Sequence, residues 1–110
     1  MVMVKPGLPY LDIIKLVKEN FKIPVLAYQV SGEYSLLENG IKKGLANNDI
    51  VIESLIAFKR AGANAIVSYY ADRLDTILKW LFKTVYKIQS TNWLRKIIGS
   101  EYGFFQIVTS

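Results

Sequence analysis

The chain has 110 residues, of which 52% are hydrophobic and 21% are charged, enough for one small globular domain with a buried core. It contains no cysteine and no histidine, which excludes disulfides, thiolate or imidazole metal sites and catalytic triads built on those residues. Any chemistry must therefore come from lysine, tyrosine, serine or carboxylate side chains.

The net charge of +5 is unevenly distributed along the chain. Residues 1–79 hold ten Lys or Arg against eight Asp or Glu, whereas residues 80–110 hold four against one. An excess of basic residues that lies partly at one end of the chain is weak evidence for nucleic-acid binding, and we expect no nucleic-acid partner. Without a secretory leader pattern or a run of about 20 apolar residues, the sequence predicts a cytoplasmic protein and argues against a membrane partner.

Short apolar runs alternate with longer stretches of helical periodicity, which is typical of βα units around a parallel sheet. The run VMV at 2–4 predicts a first strand. Pro9 then opens a helix that ends near Asn20, because proline suits the first helical turn. The apolar runs at 23–30 and 65–70 predict the second and third strands.

Two helices are predicted between the second and third strands. The periodicity places them at 34–43 and 49–61, with Gly62 suited to end the second one. After the third strand, Asp72 is placed to cap a last helix. The order is strand, helix, strand, two helices, strand and helix.

Polar side chains follow the predicted strands at the edge where parallel βα folds bind ligands. Lys5 follows the first strand, Tyr28 and Ser31 lie at the end of the second, and Tyr69 ends the third. A lysine at the end of a buried strand suggests an amine in a poorly solvated pocket, where the neutral form can attack a carbonyl. The alternative is that Lys5 simply points into solvent.

The hydroxyl groups of Ser31 and Tyr69 could donate hydrogen bonds to a substrate carboxylate, and Gly32 would let the backbone approach it. The alternative is an ordinary turn at Ser31 and a strand aromatic at Tyr69. Glu33 and Glu38 are interpreted as structural, since a helix start favours acidic side chains.

Three stretches are recognisable together: MVKPGLPYLDI at 3–13, VLAYQVSGEY at 25–34 and ESLIAFKRAGANAIVSYYA at 53–71. They resemble the C-terminal part of the delta-aminolevulinic acid dehydratase (porphobilinogen synthase) family. The resemblance runs over residues 1–79, in the same order and without large gaps.

The resemblance implies a TIM-type (βα)8 barrel and a lyase activity. The family condenses two 5-aminolevulinate molecules to porphobilinogen in tetrapyrrole and haem biosynthesis. By this resemblance Lys5 is the M-V-K-P-G lysine that forms a Schiff base with one substrate. Ser31 and Tyr69 bind the carboxylate of that same molecule, and Tyr28 packs beside it.

By the same resemblance, residues 1–79 supply the last three βα units of an incomplete barrel. The family's second Schiff-base lysine, its zinc or magnesium sites and its oligomer-forming arm belong to the other units, so no cofactor is expected from this segment. We expect the isolated chain to be inactive and aggregation-prone, with two open sheet edges. Its expected partners are 5-aminolevulinate and the missing N-terminal barrel portion, or a homo-oligomer like the family's octamer.

Residues 80–110 form a basic, apolar tail in which no resemblance is found. Lys79, Lys83 and Lys87 follow helical spacing, which fits a helix lying on a membrane or on the barrel surface. The alternative is a translated out-of-frame sequence. A second function therefore stays open, that of a non-catalytic remnant acting as a partner-binding or membrane-associated basic peptide.

Overall fold

The computed structural model describes residues 1–74, 76–77 and 106–108, the last three as backbone only. The strands are β1 (Val2–Val4), β2 (Val25–Gln29), β3 (Ala65–Ser68) and β4 (Gln106–Val108). The α-helices are α1 (Leu11–Asn20), α2 (Ser31–Lys42) and α3 (Asp49–Ala61). Short 3-10 helices span Leu8–Tyr10 and Ala71–Arg73. The predicted alternation of strands and helices is confirmed.

The strands form one parallel sheet in the order β1-β2-β3-β4. In the register, Val4 of β1 lies opposite Ala27 of β2, and Gln29 lies opposite Ser68 of β3. The fourth strand was not predicted: Ile107 lies opposite Ile66 on the outer edge of β3. The expectation of two open edges is therefore wrong for β3, whereas no described residue pairs with the outer edge of β1.

The ends of several elements differ from the sequence-based expectation. β3 ends at Ser68, so Tyr69 lies in a turn and not in a strand. α2 begins at Ser31, three residues earlier than predicted. Asp72 lies within a 3-10 helix, Ala71–Arg73. The predicted tail helix around Lys83 lies outside the described residues.

α3 matches the prediction at both ends, Asp49 and Ala61. It stops at Gly62, whose backbone is left-handed with φ of 107°, a conformation that side chains disfavour. The Gly62 N–H donates to the carbonyl of Lys59 at 2.9 Å, which satisfies part of the helix end.

The helices bury one face of the sheet. The side chains that form this core come from β1, β2 and β3, from α1 and α3 and from the turn after β3; the largest fully buried apolar ones are Ile14, Val25, Val51, Phe58, Ile66 and Tyr70. Residues alternate between faces along a strand, and β2 shows this alternation: Val25 and Ala27 are buried, while Leu26 and Tyr28 are half-buried on the other face. One face of the sheet is thus core, and the other is only partly covered.

A polar network crosses this core at the carboxyl ends of β2 and β3. The amide of Gln29 donates to the Ser54 hydroxyl at 2.9 Å and accepts from the Ser68 hydroxyl at 2.6 Å. The Ser68 oxygen also accepts from the Tyr70 N–H at 3.1 Å. All three side chains are buried, so their hydrogen bonds offset the cost of removing them from water. The network fixes the turn that follows β3.

Gly7 is a close-contact position in the segment after β1. Its N–H donates to the Tyr28 carbonyl at 2.9 Å. A Cβ at this position would overlap the Phe58 ring and lie 3.2 Å from the Tyr28 oxygen. Glycine is required because the backbone passes directly over a core aromatic ring.

We predict that Gly7→Ala lowers the free energy of unfolding by about 1–3 kcal/mol, the usual cost of overpacking. Gly40→Ala is the control, because a Cβ at this helical position meets nothing within 4 Å. That substitution should stabilise the chain by up to about 1 kcal/mol. Urea unfolding followed by circular dichroism measures both changes, and equal stability of the two variants would contradict the close contact at Gly7.

Candidate active site

The three residues singled out at the strand ends follow three neighbouring parallel strands. Lys5 comes directly after β1, Ser31 comes two residues after β2, and Tyr69 comes directly after β3. Parallel strands place their carboxyl ends at one edge of the sheet. Neighbouring strands lie about 4.8 Å apart, so the ends of β1 and β3 are separated by about 10 Å. All three residues therefore lie within reach of one small ligand.

Tyr28 lies within β2, on the face of the sheet opposite the core. Tyr28 lies opposite Val67 in the register. The helices leave this face only partly covered, and Lys5 and Tyr69 directly follow the strands on either side of β2.

The Lys5 side chain is exposed. The sequence left two interpretations open, an amine in a poorly solvated pocket and a lysine that points into solvent, and the described residues fit the second. The physical reason is the position of β1, whose outer edge pairs with no described residue. The backbone that follows is nevertheless well anchored. Lys5–Pro6 is a cis peptide bond, and Gly7 is held by its hydrogen bond to Tyr28. The lysine thus stands on a fixed backbone with its amine in solvent.

Ser31 is the first residue of α2, and its side chain is exposed at the start of that helix. The first N–H groups of a helix have no partner within the helix and attract anions. A hydroxyl at this position can add its own hydrogen bond to an anion held by those groups. The location favours the carboxylate-binding role over the ordinary turn, although both were open from the sequence.

Glu33 explains why α2 begins at Ser31. Its carboxylate accepts hydrogen bonds from the Val30 N–H at 2.7 Å and from the Leu8 N–H at 2.6 Å. The first bond is the glutamate half of a capping box. The other half is not formed, since the Val30 side chain has no acceptor atom. Glu33 is structural, as expected, but its second bond joins the loop after Lys5 to the loop before Ser31.

Tyr69 belongs to a cluster that sequence reasoning missed, formed by Tyr34, Glu38, Tyr70 and Arg73. The Tyr34 ring centroid lies 5.5 Å from that of Tyr69 and 4.7 Å from that of Tyr70. Arg73 donates from Nη2 to the Tyr34 hydroxyl and to the Glu38 carboxylate, both at 3.0 Å. Its guanidinium also lies 5.1 Å from the centre of the Tyr70 ring. The only sequence signal was the count of aromatic residues near the strand ends.

The charges and hydroxyls of this cluster affect one another. Burial is the largest influence on the Tyr70 hydroxyl and raises its pKa, and the Glu38 carboxylate raises it further. No hydrogen bond of good geometry reaches that hydroxyl within the described residues, so we interpret the effect of Glu38 as mainly electrostatic. Burial favours the neutral form of Glu38 too, but the pKa of that carboxyl is lowered overall, because the Arg73 guanidinium donates a hydrogen bond to it at 3.0 Å.

A family model, similar sequences and a solved structure all indicate the same family. The family model for delta-aminolevulinic acid dehydratase matches residues 1–77. The enzyme of that name from Rhodobacter capsulatus is 53% identical over 72 residues, which cover 64% of this chain and 22% of the relative. The Methanothermus sociabilis enzyme is 51% identical over 73 residues, covering 66% and 23%.

A solved structure agrees with the sequence comparison. The Toxoplasma gondii enzyme, in complex with its reaction product porphobilinogen, superposes with a TM-score of 0.65 at 48% identity. The match covers 71% of this chain and 22% of that one. The chain belongs to the delta-aminolevulinic acid dehydratase family. It spans about a fifth of the length of the relatives it matches.

Membership in the delta-aminolevulinic acid dehydratase family confirms the expected fold. The parallel strands and helices correspond to part of the family's TIM barrel. The family's full-length enzymes are hydro-lyases of tetrapyrrole biosynthesis. The zinc or magnesium of the family does not fit the residues in hand. Within the described ranges, no three carboxylate side chains come together as a metal site, and the sequence has no Cys or His. No described helix is long and apolar enough to cross a membrane.

We predict that Glu33→Gln lowers the free energy of unfolding by about 1.5–3 kcal/mol, the range for a hydrogen bond to a charged group. The amide keeps one acceptor oxygen but places an NH2 group against a backbone N–H. Glu53→Gln, at an exposed position on α3, is the control and should change stability little. Urea unfolding measures the stability of both variants. If the two variants were equally stable, Glu33 would not join the two loops.

Glu38 predicts a pH dependence of stability. Because its pKa is lower in the folded chain than the ordinary value of 4.5, it stabilises the fold above pH 4.5. That contribution is lost as the pH falls through the folded pKa. The stability difference between the wild type and Glu38→Gln should therefore shrink on acidification below pH 4.5.

The Arg73→Gln background provides the matched control for this pH series. Without the guanidinium, the same Glu38→Gln substitution should show a smaller acid-dependent difference, since Arg73 helps to lower the pKa of Glu38. Chemical unfolding at a series of acidic pH values measures the four proteins. An unchanged difference would show that Arg73 does not act on Glu38.

Proposed function

We propose that residues 1–77 form the part of a porphobilinogen synthase active site that holds one 5-aminolevulinate molecule. The observation that supports this proposal is the adjacency of β1, β2 and β3 in parallel, which groups Lys5, Ser31 and Tyr69 at one edge. The porphobilinogen bound to the Toxoplasma gondii relative indicates the substrate class.

Lys5 is the proposed nucleophile. Its neutral Nζ adds to the ketone carbon of 5-aminolevulinate, the carbonyl oxygen takes up protons, and water leaves to give an iminium ion. The covalent bond then holds this substrate for condensation with a second one. A lysine needs a neutral amine for the first step, and desolvation or a nearby cation supplies that condition in proteins. Because Lys5 is exposed here, we infer that other parts of the barrel cover it during the reaction.

Ser31 and Tyr69 are proposed to bind the carboxylate of the same molecule. Both side chains are exposed at the edge where Lys5 lies, and both can donate a hydroxyl hydrogen bond. The start of α2 adds the favourable end of a helix dipole. Tyr28 lies on β2, the strand between β1 and β3, and is proposed to pack against the carbon chain of the substrate. Fixing the far end of the substrate orients its ketone toward Lys5.

The complete reaction requires residues beyond this segment. The family resemblance implies that the second 5-aminolevulinate and the metal are held by other parts of the barrel. We therefore propose that a polypeptide of these 110 residues does not form porphobilinogen alone and that it functions with the remaining barrel portion, within one assembly or a homo-oligomer. Production of porphobilinogen by the isolated chain would contradict this.

We predict that Lys5 becomes covalently labelled in a reconstituted complex, made of the full 110-residue chain and the part of the Rhodobacter capsulatus relative outside the matched segment. Borohydride added with 5-aminolevulinate reduces the iminium to a secondary amine. Peptide mass mapping should then find one substrate, less one water and plus two hydrogens, on Lys5.

Two variants control the labelling. Lys5→Ala should lose the modified peptide, whereas Lys22→Ala, at an exposed position after α1, should keep it. The intact Rhodobacter capsulatus relative serves as the positive reference. If that enzyme were labelled while Lys5 in the complex were not, the proposed function of this segment would be wrong.

A further inference from the structure

The aromatic ring of Tyr69 rests on a support that the proposed function does not use. Tyr69 is 40% exposed, and its ring packs on Tyr34 at a centroid distance of 5.5 Å. Tyr34 lies in the first turn of α2, three residues after Ser31. Its ring therefore lies against both tyrosines that follow β3, Tyr69 and Tyr70.

Tyr34 is fixed on its other sides. Its ring packs on Tyr70, which is 1% exposed and belongs to the hydrophobic core. Its hydroxyl accepts a hydrogen bond from Arg73, and Arg73 is anchored in turn by the Glu38 carboxylate. Glu38 lies one turn after Tyr34 on the same helix, so the contacts form a closed ring across α2 and the turn after β3.

We propose that Tyr34 is a positioning residue for Tyr69 and that Arg73 holds Tyr34 in the required orientation. This inference rests on the proposed function, in which the Tyr69 hydroxyl binds the substrate carboxylate. A tyrosine has two side-chain torsions, and an exposed one must lose that freedom to aim its hydroxyl. Packing against Tyr34 removes part of that freedom before the substrate arrives, which lowers the entropy cost of binding.

The contact acts on one end of the substrate only. Tyr34 supports the carboxylate side, whereas Lys5 is held by the separate contacts of Gly7 and Glu33. Loss of the Tyr34 ring should therefore weaken recognition of the carboxylate and leave the intrinsic reaction of Lys5 with a ketone unchanged. A general loss of folding would affect both.

The test compares two aminoketones in the reconstituted complex: 5-aminolevulinate, and 1-aminobutan-2-one, which has the same ketone and amine but no carboxylate. Labelling of Lys5 by borohydride is measured against the concentration of each compound. For Tyr34→Leu we expect the half-saturating concentration of 5-aminolevulinate to rise about 2- to 10-fold, the range for loss of an aromatic pair contact. The value for 1-aminobutan-2-one should stay the same.

Three further variants complete the design. Tyr34→Phe keeps the ring and loses the hydroxyl bonded by Arg73, so its effect should be smaller than that of Tyr34→Leu. Tyr69→Phe removes the proposed carboxylate ligand, and adding Tyr34→Leu to it should have little further effect. Phe21→Leu, an exposed aromatic position after α1, should behave like the wild type.

The outcomes separate this inference from the proposed function. If Lys5 is labelled normally and Tyr34→Leu changes both compounds equally or neither, Tyr34 does not position Tyr69 and the inference is wrong. If the wild-type complex shows no label on Lys5 while the intact relative does, the proposed function fails and the inference fails with it. A selective rise for 5-aminolevulinate that is absent in the Tyr69→Phe background supports the positioning role.

Discussion

The Glu33 carboxylate joins the two loops on which the candidate site depends. One oxygen accepts the N–H of Leu8, three residues after Lys5, and the other accepts the N–H of Val30, directly before Ser31. Hydrogen bonds to a charged acceptor are roughly twice as strong as those between neutral groups. The pairing of β1 with β2 places the loops side by side, and Glu33 then sets their separation. The spacing between the proposed nucleophile and the proposed carboxylate site therefore depends on both the strand pairing and this one side chain.

The sheet has different surroundings at its two edges. β4 pairs in parallel with the outer edge of β3, whereas the outer edge of β1 meets no described residue. A closed barrel gives every strand two neighbours. The edge of β3 that β4 occupies is therefore one that a neighbouring barrel strand would need. β4 and that neighbour cannot hold the same edge at once, so completing the barrel at β3 requires β4 to be displaced.

Local patterns in the sequence predicted the elements whose ends are set locally. α3 was placed correctly because its periodicity is strong and Gly62 marks its end. The start of α2 was missed because it depends on Glu33, whose carboxylate also bonds a backbone group 25 residues away. The contact between Arg73 and Tyr34 spans 39 residues. Neither spacing leaves a periodic signal, so only the folded chain brings these groups together.

The same distinction applies within the candidate site. Motifs identified Lys5, Ser31 and Tyr69, and the parallel register explains why residues so far apart in sequence share one edge. The sequence left open whether Lys5 lies in a poorly solvated pocket or in solvent, because burial of that amine depends on atoms beyond β1 and not on its own motif. Tyr69, by contrast, has its support within the segment, in Tyr34 and Arg73. The segment therefore contains the support of its proposed carboxylate ligand, while the reactivity of its proposed nucleophile depends on what covers the open face.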